Sequence, residues 1–174
     1  MTHPTRMYTT DGWVDLGVQR AMTKADLDPI AFRGYAFRMV SGEAGVGPGS
    51  FIRAAQQNNN VYEDPDYFQG WRAGNATGIK VMKAGLVRVY ATVYMSGLTA
   101  SVTAEASAFL NGVAHTATRT IPTGTFESFV IGPVIRNCVI NDLWQFGAVS
   151  PAGALAYQGT DGRFTHGFFE YLGP

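Results

Sequence analysis

The chain has 174 residues, a length that suits one domain with a core of its own. Its 13 Lys and Arg balance 13 Asp and Glu, so it lacks the charge excess by which proteins grip phosphate backbones or anionic lipid, and nucleic acid and membrane surfaces are excluded as expected partners. With 21 Gly, 15% charged residues and a single Cys, it reads as a turn-rich β protein without a disulfide framework.

Residues 1–29 are polar and read as an extended arm. Trp13, Val14 and Leu16 form a lone apolar cluster after Asp11-Gly12 and are the candidate docking residues of that arm. A short helix is expected over 19–27, with Thr23 as a cap and Pro29 as the stop. The first 20 residues lack the basic region and apolar core of a signal peptide, and no run approaches the roughly 18 apolar residues of a membrane span, so synthesis in a cytoplasm is expected.

From Ile30 the hydrophobic period becomes two, and residues 30–174 are expected to form one all-β domain. Strands are predicted over 32–40, 50–55, 78–82, 86–95, 102–110, 113–120, 126–131, 143–149 and 163–172. In 86–95, Val87, Val89, Ala91, Val93 and Met95 share one face, and Leu86, Arg88, Tyr90, Thr92 and Tyr94 share the other. The first face is core; the second, rich in Tyr and carrying Arg88, suits a subunit contact. Asn111-Gly112 predicts a type I′ hairpin between 102–110 and 113–120. Gly42, Gly45, Gly47 and Gly49 read as a flexible connector, because no Lys-Ser/Thr pair and no helix follow them. Tyr90, Tyr94, Phe169 and Tyr171 are the candidate interface residues, on the expectation that an isolated chain leaves them wet.

No catalytic residue is nominated. His3, His115 and His166 are scattered, and there is no Gly-x-Ser-x-Gly elbow. Glu63-Asp64-Pro65-Asp66 offers carboxylates for a calcium ion, but Pro65 favours a solvated turn, so neither metal nor cofactor is expected. The loop bearing Tyr67, Phe68 and Trp71, beside Asn58 to Asn60 and Gln69, is a candidate ligand loop: such rings stack on sugars while amides bond hydroxyls. Aromatics at that density also fill a β core, which is the preferred reading.

The order of these pieces resembles the C1q/TNF-like jelly roll. The resemblance rests on Asn58-Asn59-Asn60-Val61-Tyr62 before Ile79-Lys80-Val81, and on Lys83-Ala84-Gly85-Leu86-Val87-Arg88-Val89. It rests further on the acidic turn and strand Asn141-Asp142-Leu143-Trp144-Gln145-Phe146, and on the terminal Arg163-Phe164-Thr165-His166-Gly167-Phe168-Phe169-Glu170-Tyr171-Leu172. It implies a ten-strand, two-sheet sandwich that assembles as a homotrimer and binds without catalysing. The animal members carry a signal peptide and often a collagen stalk, neither of which is read here, which leaves the similar domains of bacteriophage head and tail proteins. Met7-Tyr8-Thr9-Thr10-Asp11-Gly12-Trp13-Val14-Asp15-Leu16 is similar to the Gly-Trp-x-Asp leader of phage minor tail proteins. The expected function is therefore that of a non-enzymatic virion protein of the tail, partnered by other virion proteins. A capsid decoration trimer is the rival within that class, and a lectin-like module or carbohydrate-active enzyme that meets host surface glycan is the rival from another.

Overall fold

Alternating apolar residues need two sheets to bury one face of each, and that arrangement governs the computed structural model of the chain. The structure describes residues 6–9, 12–15, 33–39, 43–46, 51–52, 60–70, 77–149, 155–157 and 165–174, with side chains described for 33–39, 51–52, 60–70, 77–147 and 165–174. The chain divides into two compact units, Met1–Phe32 and Arg33–Pro174.

In the first unit β1 (Arg6–Thr9) pairs antiparallel with β2 (Gly12–Asp15), placing Trp13 opposite Tyr8 and Val14 opposite Met7. The arm thus carries a hairpin where irregular chain was expected. Leu16 and the helix expected over 19–27 lie outside the described residues.

The second unit holds twelve strands among its described residues: β3 (Gly34–Arg38), β4 (Glu43–Val46), β5 (Asn60–Glu63), β6 (Phe68–Gln69), β7 (Ile79–Val81), β8 (Gly85–Ser96), β9 (Ala104–Leu110), β10 (Val113–Thr120), β11 (Phe126–Cys138), β12 (Leu143–Val149), β13 (Leu155–Tyr157) and β14 (His166–Gly173). One sheet runs β10-β9-β12-β7-β6; the larger runs β4-β13-β8-β14-β3-β5, with β11 on the other edge of β8. No helix occurs among the described residues. Part of the expected glycine connector is strand, since β4 pairs with β13.

The hairpin between β9 and β10 follows from Asn111 and Gly112, whose φ angles of 52° and 78° are those a type I′ turn demands. Strand β11 is longer than expected because the irregularity at Gly132-Pro133 interrupts its pairing with β8 without ending it. Gly132 has φ 90°, and a Cβ there would lie 2.6 Å from the Val89 carbonyl oxygen, so no side chain fits at that bulge.

The core lies between the sheets. Val87, Val89, Ala91, Val93 and Met95 of β8 are fully buried, as their alternation requires. Opposite, Ala104, Ala106 and Ala108 of β9 are small enough to leave room for the rings of Trp144, Phe146 and Phe37. Phe169 sits at the centre, with ring centroids 5.8 Å from Phe146, 5.9 Å from Phe68 and 6.1 Å from Tyr35.

Candidate functional site

Strand pairing fixes which side chains meet on the outward side of the large sheet. Tyr90 of β8 lies opposite Phe168 of β14, Phe168 opposite Ala36 of β3, and Ala36 opposite Tyr62 of β5. The Tyr90 and Phe168 rings stack with centroids 5.3 Å apart and planes 25° apart. One row away, Ile135, Arg88 and Glu170 align across β11, β8 and β14. Arg88 Nε donates to Glu170 Oε2 at 2.9 Å, and a second guanidinium nitrogen bonds the same oxygen. On the other side, Val130, Thr92 and His166 form the next row.

This face is apolar for a wet surface. Leu86 (41%), Val130 (49%), Ile135 (48%) and Leu172 (42%) keep large fractions of their area exposed around the stacked rings. The patch, interrupted by the Arg88–Glu170 ion pair and bordered by Thr92 and the exposed His166, is the kind of surface that marks an association site. A second apolar group lies at the end of the sandwich where β10 starts and β11 stops: Val113, Val139 and Ile140 are all exposed.

That end of the sandwich is braced. Asn111 Nδ2 donates to Asp142 at 2.8 Å, Asn111 Oδ1 accepts from the Leu143 amide at 2.9 Å, and Asp142 accepts from the Val139 amide at 2.8 Å. Val139 and Ile140 are therefore presented on a fixed turn.

The structure corrects most of the interface candidates. Phe169 is fully buried and Tyr171 nearly so, because β14 directs Gly167, Phe169 and Tyr171 inward and His166, Phe168, Glu170 and Leu172 outward. The Tyr171 hydroxyl is already committed, donating to the Ala84 carbonyl at 3.0 Å. Tyr94 is on the outward side but only 7% exposed, with the Phe126 ring against it. Of the four, Tyr90 alone lies in the outward patch with area to offer; Leu86 is on the outward face that the alternation of 86–95 assigns to a subunit contact, and Phe168, Val130 and Ile135 are the residues sequence reasoning missed. Phasing the alternation of β14 and β11 against β8 would have found them.

Of the ligand-loop candidates, Phe68 and Tyr67 follow the preferred packing reading. Phe68 is a fully buried core ring and cannot stack on a sugar. The Tyr67 ring is taken up by Tyr171, with centroids 4.8 Å apart, and by the Lys83 ammonium 4.9 Å from its centre. Trp71 lies outside the described residues. Asp64 closes a local turn by accepting the Asp66 amide at 3.2 Å, and among the described residues no three His, Cys, Asp or Glu side chains are grouped to hold a metal ion. No described helix is long and apolar enough to cross a membrane.

No family model matches the sequence, and no curated protein matches it. Solved structures match the fold. Murine APRIL at pH 5.0 aligns with a TM-score of 0.59 at 11% identity, over 82% of this chain and 100% of that one. An Eiger TNF from S. frugiperda aligns at 0.55 with 12% identity, over 82% and 93%. At such identities the likeness speaks for the backbone alone: the chain has a TNF-like jelly roll of two antiparallel sheets.

Proposed function

We propose that the chain is a non-enzymatic bacteriophage virion protein, a homotrimeric minor tail component whose sandwich assembles through the outward face of the large sheet. The observation that carries the assembly is the apolar patch of Tyr90, Phe168, Leu86, Val130 and Ile135, together with the differently built apolar edge at Val113, Val139 and Ile140. Two unlike apolar surfaces on one chain favour a head-to-tail contact, and a contact of that kind that closes makes a ring. Three members is what the C1q/TNF-like resemblance implies. Burial of a large apolar side chain contributes on the order of 2 kcal/mol, so several per chain suffice for a tight assembly. Support for the phage setting comes from the leader around Gly12-Trp13-Val14-Asp15, which here forms β2. In this reading Trp13, Val14 and Leu16 attach the arm to a neighbouring virion protein.

Light scattering tests the assembly. Three times the 18.8 kDa chain mass at micromolar concentration is expected, and a stable monomer overturns the reading. Electron microscopy of labelled chain on particles made by the encoding genome tests the setting. Label at the tail supports the proposal, label at threefold positions of the head favours the capsid decoration trimer, and unlabelled particles overturn both.

A further inference from the structure

Strands β10 and β11 lie side by side at the edge of the sandwich but belong to different sheets: β10 pairs with β9, and β11 pairs with β8. Side chains bridge this seam. The Thr118 hydroxyl donates to the Val130 carbonyl at 2.5 Å near its middle, and Arg136 Nε donates to His115 Nδ1 at 3.2 Å near its braced end.

Arginine carries donors only, so the imidazole nitrogen it meets must hold a free lone pair. The hydrogen bond therefore exists only while His115 Nδ1 carries no proton. We infer that the His115–Arg136 pair is an acid-sensitive latch on the β10–β11 seam. A proton on Nδ1 removes the acceptor and sets an imidazolium against a guanidinium.

Among the described residues, the surroundings offer His115 no rescue at that position. Against it from β12 lies the uncharged indole of Trp144, with ring centroids 6.0 Å apart. On β11 the other titratable group of this region is Cys138, whose thiol burial keeps protonated. The Asp142 carboxylate already accepts from Asn111 and Val139. On β10 itself the neighbours Ala114 and Thr116 are uncharged, and the remaining charge, Arg119, is engaged by Glu105 of β9. An imidazolium that turns its face toward Trp144 leaves Arg136, so the seam bond is lost either way. The latch does not depend on assembly. Where the chain assembles through β11, acidification also loosens the strand that carries Val130 and Ile135.

Amide exchange on the full chain at about pH 7.5 and about pH 5.5, corrected for intrinsic rates, reads the latch across the imidazole range. Protection of residues 113–120 is expected to fall at least about threefold more than that of 86–95 on acidification. His115→Gln, which keeps an acceptor that cannot be protonated, is expected to abolish the difference, and so is Arg136→Met. Unchanged wild-type protection over 113–120, or an equal pH response in His115→Gln, overturns the inference. Should both variants fail to fold, the wild-type Arg136 Nε–H resonance is followed by NMR. It is expected to shift and broaden between about pH 7.5 and about pH 5.5, and its indifference to that change overturns the latch.

Discussion

Phe168 and Phe169 are neighbours in β14 whose rings leave the sheet on opposite sides, one stacked on Tyr90 at the surface and the other fully buried among Phe146, Phe68 and Tyr35. Their substitutions are expected to separate folding from assembly. Phe169→Ala should cost about 3–5 kcal/mol in denaturant unfolding, the usual result of emptying a large core ring. Phe168→Ala should leave the fold of the single chain nearly unchanged and weaken association, read as a shift of the light-scattering mass toward one chain at micromolar concentration. Equal losses of stability in the two variants would show that Phe168 is a core residue after all.

Thr165 stands where β8 changes partners. Pairing with β14 ends at Thr92, pairing with β13 begins at Met95, and the buried Thr165 hydroxyl accepts the Tyr94 amide at 2.9 Å and faces the Tyr94 carbonyl at 3.3 Å. A side chain there stands in for a missing strand. Thr165→Val preserves the shape and orphans both backbone groups, so it is expected to cost about 1–3 kcal/mol, whereas Thr165→Ser should be close to neutral. Chemical denaturation of the two variants decides this.

Hydrogen bonding from Arg119, helped by Ser107, holds the Glu105 carboxyl below the usual carboxylate range against the opposing effect of burial. A depressed value in the folded state means that the stabilisation is present above the unfolded carboxylate range and is lost as pH falls through the lower, folded value. Melting temperature followed from neutral pH into acid should therefore drop less steeply in Arg119→Ala than in the wild type below the ordinary carboxylate range. At neutral pH the same variant should lose at most about 1 kcal/mol, because Arg119 is largely exposed.

Burial pushes the Cys138 thiol up, away from the reactive thiolate. Treated with a disulfide-exchange reagent at neutral pH, the folded chain should react slowly and denaturant should release the reaction. Since Cys138 is the single cysteine, the count of modified sites is unambiguous. Fast labelling of the folded chain would mean that the braced turn after β11 opens readily.

The sandwich was legible in the sequence because its strongest strands alternate strictly. The bounds 143–149 of β12, the hairpin turn at Asn111-Gly112 and the inward face of β8 all follow from period two and turn chemistry. The share of β8 in the outward apolar face was legible from its own alternation, but the shares of β14 and β11 were not. In the aromatic run of β14 every position can be argued either way, and only its pairing with β8, Phe168 opposite Tyr90, assigns Phe169 and Tyr171 to the core. Continuation of β11 past Gly132-Pro133 was hidden for a related reason: the predicted strand stops at residue 131, and a bulge differs from a strand end only by what lies across from it.

The place of β14 in the large sheet has a consequence for how the chain reaches its fold. This strand, 166–173, lies between β3 and β8, whose residues precede it by some seventy or more positions. During synthesis the middle of the large sheet is vacant until residues 166–173 leave the ribosome, and the inward faces of β3 and β8 have no partner between them. Contacts of such sequence separation make folding slow, since long loops must close before any pairing repays the ordering of the chain. Nascent chains stalled short of residue 166 therefore present exposed sheet edges and unburied apolar faces, the form of this protein most prone to aggregate and most in need of a chaperone.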